Sequence, residues 1–221
     1  MARLHVATTS TPPPVKAATA PPRAGTVRVL PFVGGDEALC EGLRARQPAA
    51  MAALCDRYSR MVLRLLGRVL GADDELADLH HDVFVRALRA AHTVRQPSSL
   101  QGWLGTIAIN VARARLKERA RRRWLQLLPG DDAPEAEAPQ PNSEATEALR
   151  RTYLVLDRLP REERIAFALR TIEGLKLEEV AVACDVSLAT AKRRLARAEQ
   201  RFLELCRADP VLRDWVGGGS S

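Results

Sequence analysis

Aromatic side chains make up only 4% of this chain, so its core must be packed with Leu, Val, Ile and Ala, residues that build helices when they recur every 3.6 positions. Lysine is nearly missing too. It stands only at positions 16, 117, 176 and 192, which leaves arginine to carry almost all the positive charge. No CxxC pair occurs: Cys40, Cys55, Cys184 and Cys206 are scattered, with no histidine pattern beside them. That spacing argues against a metal site and fits small buried residues in a reducing compartment. Phosphate-loop GxxxxGK[ST], HExxH and GxSxG signatures are absent, so neither an enzyme nor a cofactor is expected. The N-terminus has Pro, Thr and Ala in place of an apolar h-region, and the most apolar stretch, Met61 to Leu70, is broken by Arg64 and Arg68. A signal peptide and a membrane span are therefore not expected, and the cytoplasm is the default location.

What is present is charge of one sign in two places. The 221 residues carry a formal net charge of +7 and a pI near 9.8, which implies a polyanionic partner: DNA, RNA or an acidic membrane. Arginine grips phosphate or guanine with two parallel donors, so its dominance favours recognition over simple solubility.

The most informative segment is LEEVAVACDVSLATAKRRLARAEQR, Leu177 to Arg201. Val180 and Ala181 share a face of one helix, Val186 plugs a turn, and Ala191, Leu195 and Ala198 recur at i, i+4, i+7 on a second helix that Ser187 is suited to cap. With that stripe turned inward, Ala189, Arg193, Ala196, Arg197 and Gln200 face outward, flanked by Thr190, Lys192 and Arg194. The pattern reads as a helix-turn-helix whose second helix enters a DNA groove. A solvated amphipathic hairpin would explain the periodicity, but it requires neither the cap nor the outward cationic row.

The whole chain reads as all-α, with two small helical domains joined by an acidic flexible linker. Residues 1–34, rich in Pro, Ala and Thr, read as a disordered tail. A first domain spans 35–125, with helices from Asp36 to about Arg46, from Pro48 to Gly71, from Asp73 to about Ala91, and from about Ser99 past Arg119. The linker, 126–147, contains six carboxylates, four prolines and no basic residue from Leu128 onward. A second domain spans 148–208, with helices from Ala148 to Leu159 and, after Pro160, to Ile172, then the helix-turn-helix. Residues 209–221 form a C-terminal tail in which Asp209 and Pro210 can start one more turn.

Two further features bear on function. RARLKERARRR, Arg113 to Arg123, sets seven basic residues against one acid at the end of the fourth helix. Two cationic helices across a flexible linker suit two separated stretches of one polymer. In LADLHHDVFVRAL, Asp78, His81, Asp82 and Arg86 form a mixed-charge surface suited to protein docking. His80 and His81 are neighbours about 100° apart on a helix, so they do not make a metal pair.

In order and spacing, DLHHDVFVRAL, SLQGWLGTIAINVARARLKERARRR and LPREERIAFALRTIEGLKLEEVAVACDVSLATAKRRLARA resemble the extracytoplasmic-function (ECF) sigma factors of bacterial RNA polymerase. The resemblance covers about Asp36 to Arg123 and Ala148 to Leu205. It implies a non-catalytic subunit that binds core RNA polymerase and directs promoter recognition, melting and transcription initiation. It places core polymerase binding on Asp78, Leu79, His81, Asp82 and Phe84. Binding of the minus-ten element falls to Arg95, Ser98, Ser99, Trp103, Asn110, Arg113, Arg115 and Lys117, with Trp103 either in that contact or in the core. The minus-thirty-five element falls to Thr190, Lys192, Arg193, Arg194, Ala196 and Arg197. The partners it implies are core RNA polymerase, promoter DNA and an anti-sigma factor, with no cofactor or metal. The sequence departs from the pattern at His80 and His81, where Val and Gln are usual, at Asp185 in place of Gly, at the small Cys184 and Ala191, and at Gly102 and Gly105. The alternative, a stand-alone helix-turn-helix regulator, accounts for Leu177 to Arg201 but not for the basic tract or the Asp78 surface.

Overall fold

A computed structural model describes residues 32–94, 100–126 and 144–214. The expected tail up to residue 31, most of the linker and the last seven residues lie outside the described residues. Eight α-helices are described: α1 (Asp36–Arg44), α2 (Pro48–Leu70), α3 (Leu76–Ala90), α4 (Leu100–Gln126), α5 (Glu144–Leu156), α6 (Arg161–Phe167), α7 (Leu177–Cys184) and α8 (Leu188–Ala208). A short 3-10 turn, Ala91–Thr93, follows α3, and α6 runs on into a π-helical turn, Ala168–Ile172.

Local chemistry sets most of these boundaries. Pro48 opens α2 at its first turn, where the missing N–H costs nothing. The chain leaves α2 at Gly71, whose φ of +72° suits glycine. α3 starts at Leu76, later than Asp73, because Asp73 bends its carboxylate back to the Glu75 N–H (3.0 Å) and into two arginines of α4. α5 starts at Glu144, four residues before the expected Ala148: Glu144 and Glu147 suit the positive end of the helix dipole, and Glu147 also pairs with Arg150 and Arg151 at 2.7 Å. The residues expected to end the linker are thus the first turn of a helix. Past α8, Asp209 accepts the N–H groups of Val211 (2.9 Å) and Leu212 (3.1 Å), and Leu212 is buried.

In the first unit α2, α3 and α4 pack on one another, with α1 against α2. Their inward stripes supply Leu54, Val62, Leu66, Val83, Leu104 and Ile109, all at 0–1% exposure. In the second unit α8 packs along α6, with α5 and α7 beside it. The units are in contact, which the linker composition does not reveal. Ile165, Leu169, Val180 and Ala191 belong to the same buried cluster as Leu54 and Leu104, because α7 and α6 lie on α4.

Polar clamps reinforce that seam. Arg164, 2% exposed, reaches from α6 to donate to the carbonyls of Val69 (2.8 Å) and Leu70 (3.0 Å), the unsatisfied end of α2, while pairing with Asp157 of its own unit. The Tyr153 hydroxyl donates to Gly67 O at 3.3 Å, and a Cβ at Gly71 would stand 2.5 Å from the Tyr153 ring, so glycine there serves both the turn and the seam. Arg64 meets Glu173 at 2.7 Å.

Candidate nucleic-acid interface

The helix-turn-helix is built as its residues require. Glu179 accepts the Lys176 N–H at 2.7 Å at the start of α7. Asp185 ends α7 in the left-handed region (φ 55°, ψ 52°), a conformation that aspartate tolerates at modest cost. Ser187 caps α8 by accepting the Thr190 N–H at 3.2 Å. Val180 and Ala191 are fully buried, and Ala198 likewise, which turns the opposite face of α8 outward. Ala189, Lys192, Arg193, Ala196, Arg197 and Gln200 are exposed on that face, with Thr190 and Arg194 half-buried at its edge. Two small residues beside exposed guanidinium groups leave room for close approach to a groove.

The basic tract of α4 divides into anchors and cations without an ion pair among the described residues. Arg115, 8% exposed, donates to both carboxylate oxygens of Asp73 (2.9 and 3.1 Å) and meets Glu75 at 2.8 Å. Arg119 caps the chain after α2, donating to Leu70 O (2.9 Å), Ala72 O (3.2 Å) and Asp73 (2.5 Å). Burial pushes the Asp73 carboxyl up, but hydrogen bonds from Arg115 and from the Glu75 N–H, with the Arg119 charge, outweigh it, and the net shift is below the usual carboxylate range. Arg122 pairs with Glu118 at 2.5 Å. Lys117, Arg121 and Arg123 are exposed and make no ion pair among the described residues.

Burial corrects two expected site residues. Arg115 is spent inside the first unit and turns no donor outward to a minus-ten strand. Phe84, 5% exposed, is a core residue with its ring edge-on to His80 at 5.0 Å, and it offers no docking surface. The other residues of that helix divide as follows: Asp78 and His81 are exposed, Asp82 pairs with Arg86 at 2.7 Å, and Leu79 is half-buried against the core. His80 turns inward to Ser59 Oγ at 2.8 Å, and burial holds its pKa below the ordinary histidine value. Trp103 is half-buried and donates its indole N–H to Thr93 Oγ1 at 3.2 Å, while Asn110 is exposed. Arg95, Ser98 and Ser99 lie outside the described residues. α4 is continuous through Gly102 and Gly105, and a Cβ at either would meet no atom within 4 Å. Among the described residues no three His, Cys, Asp or Glu side chains converge on a metal position, and no helix is long and apolar enough to cross a membrane.

Glu162, in the first turn of α6, joins both candidate DNA faces. One carboxylate oxygen takes Arg113 Nε of α4 at 3.1 Å, the other takes Arg194 of α8 at 3.1 Å, and Arg113 also reaches Cys184 O at 3.4 Å. Nothing in the sequence marks this carboxylate, because the contact joins residues 49 and 32 positions apart.

The family descriptions Sigma-70 region 2 and Sigma-70, region 4 match residues 54–122 and 149–202, together more than half of the chain. The ECF RNA polymerase sigma-E factor of Haemophilus influenzae is 28% identical over 174 residues, covering 75% of this chain and 92% of that protein. The RNA polymerase sigma-H factor of Pseudomonas aeruginosa is 28% identical over 188 residues, covering 81% and 96%. Among solved structures, CnrH in complex with the cytosolic domain of CnrY shares the fold, with a TM-score of 0.55 at 22% identity, covering 79% of this chain and 98% of CnrH. With region 2 matched on α2 to α4, region 4 matched on α5 to α8, and full-length ECF relatives on both sides of the linker, the chain belongs to the ECF group of the sigma-70 family and is a sigma factor of transcription initiation.

Proposed function

We propose that the chain acts in the cytoplasm as a non-catalytic specificity subunit, binding core RNA polymerase through α3, the minus-ten element through α4 and the minus-thirty-five element through α8. The observation that carries this reading is the capped α8 with its exposed Lys192, Arg193 and Arg197, set in one chain with a second cationic helix. Asp78, Leu79, His81 and Asp82 are the proposed polymerase contacts. Trp103, Asn110, Arg113 and Lys117 take the minus-ten strand, with Arg95, Ser98 and Ser99 from the sequence just before α4. Thr190, Lys192, Arg193, Arg194, Ala196 and Arg197 read the upstream duplex. An anti-sigma factor belongs to the same proposal as the partner that holds the protein inactive. A stand-alone regulator is not favoured, since it leaves the region 2 match over 54–122 without a use.

Glu162 holds Arg113 across the seam and Arg194 within its own unit, so parting of the two units would release Arg113 alone for phosphate or base. Arg197→Ala is expected to weaken binding to the upstream element by about 1–3 kcal/mol if the guanidinium forks onto a base edge. Titration of holoenzyme on a promoter duplex and on one with that element scrambled checks this. Equal affinity of wild type and variant on the intact promoter removes Arg197 from the reading face. Asp82→Arg reverses a charge on the docking face and is expected to weaken assembly with core polymerase, measured by co-elution. Normal assembly takes Asp82 out of the contact.

A further inference from the structure

Beyond Leu116, no residue of α4 as far as Leu125 is buried, so the helix projects from the core as a rod. It is a braced rod, because Arg115 and Arg119 clamp its root to Asp73 and to the carbonyls after α2. Trp124 sits near its tip at 62% exposure, in a chain with few aromatic residues to spare. Its register is informative. Trp103, Asn110, Lys117 and Trp124 stand seven residues apart, and a seven-residue step falls only about 20° short of two turns, so the four keep to one edge of the helix. Arg121 joins them, four residues after Lys117 and three before Trp124. Glu118 on the rod and Glu75 at its root are engaged by Arg115 and Arg122, while Lys117 and Arg121 are without an ion pair among the described residues.

We propose that Trp124, with Arg121, grips duplex DNA between the two promoter elements, prolonging the minus-ten face of α4 upstream. This rests on the sigma reading above. At 1.5 Å per residue, Trp124 stands about 31 Å from Trp103 along the helix, roughly nine base-pair steps of a duplex. If the Trp103 end engages the melted element, the tip therefore lies over the base pairs upstream of it. Arg121 takes a phosphate, and the indole lies against the backbone and donates its one N–H to a phosphate oxygen. Such a grip reads no sequence. It orients the duplex on its way to α8, the way in which phosphate contacts set register.

The test uses holoenzyme assembled from the full chain, on a promoter duplex taken from a start site mapped after overexpression. Arg121→Ala is expected to lower the slope of log K against log salt by about 0.9, the change for one phosphate no longer neutralised, and Trp124→Ala to weaken the complex several-fold with little change in slope. On a fragment cut just upstream of the minus-ten element, variants and wild type are expected to coincide. All these residues are exposed, so unchanged melting temperatures are expected and serve as the folding check. Identical slopes and affinities on the full promoter overturn the inference. A deficit that persists in full on the cut fragment also overturns it, since the contact would then be to the melted strand or to polymerase. If wild-type holoenzyme itself gives no promoter-dependent transcript, the sigma reading fails first, an outcome distinct from failure of the grip.

Discussion

Asp73→Ala is expected to destabilise the protein by about 3 kcal/mol and to loosen the root of α4. The Asp73 side chain is 1% exposed and faces two arginines, of which Arg115 is itself 8% exposed. Removing one partner of a buried pair costs about 3–5 kcal/mol, because the other charge is left without compensation. The low end applies here, since Glu75 remains 2.8 Å from Arg115. Asp73→Asn keeps the shape and one acceptor and is expected to fall between wild type and alanine. The same site sets the acid response. The folded carboxyl titrates below its ordinary value of 3.8, so its contribution is fully present above that value and is lost as pH falls through the lower folded value. Glu147, held down to about 2 by hydrogen bonds from Arg150 and Arg151, acts in the same sense. Thermal melting of the wild type should therefore show no loss from these two groups between neutral pH and about 5, and should fall below that, Glu147 responding from its ordinary value of 4.5 and Asp73 from 3.8. Asp73→Ala should start lower and lose less on acidification. A variant as stable as wild type would contradict the role given to this carboxylate.

Arg164→Met is expected to part the two units while leaving the helices of each in place. Arg164 spends two donors on the last carbonyls of α2 and pairs with Asp157. Hydrogen bonds to charged groups are worth about 1.5–3 kcal/mol each, so removing the two that cross the seam shifts the balance between packed and parted forms by roughly 3 kcal/mol or more, about a hundredfold in population. Methionine keeps the stem volume and leaves Asp157, which is 28% exposed, free to hydrate. Scattering should report a larger radius of gyration with little change in helical signal. Parting also frees Arg113 from Glu162 of the other unit, so the variant on its own should bind promoter duplex more tightly than wild type. An unchanged radius of gyration would show that Arg164 does not hold the seam.

Local signals in the sequence carry much of the fold. Pro48 and Gly71 bound α2 because a fixed φ and a left-handed φ are properties of single residues. Ser187, Asp185 and Val186 shape the turn for the same reason, and the exposed row on α8 follows from helical period once Ala191 and Ala198 are inside. The burial of Arg115 is not legible, because its partner, Asp73, is 42 residues away, and charge in a basic run looks alike whether it is buried or free. The burial of Phe84 is hidden in the same way, because it lies beside Val83 and Ala87 on the face of α3 that the rest of the first unit covers. The packing of the two units is invisible in sequence because it depends on Arg164 meeting the end of α2 across 94 or 95 positions. An acidic, proline-rich linker describes the tether and not the surfaces it joins.

Direction of RNA polymerase to promoters is the central claim, and its most direct test is to add the purified chain to core polymerase on DNA carrying a promoter mapped after overexpression. Co-elution with core is predicted, together with a transcript that starts at the mapped site and vanishes when either element is scrambled. A chain that binds the duplex alone yet neither joins core polymerase nor changes where transcription starts would contradict it.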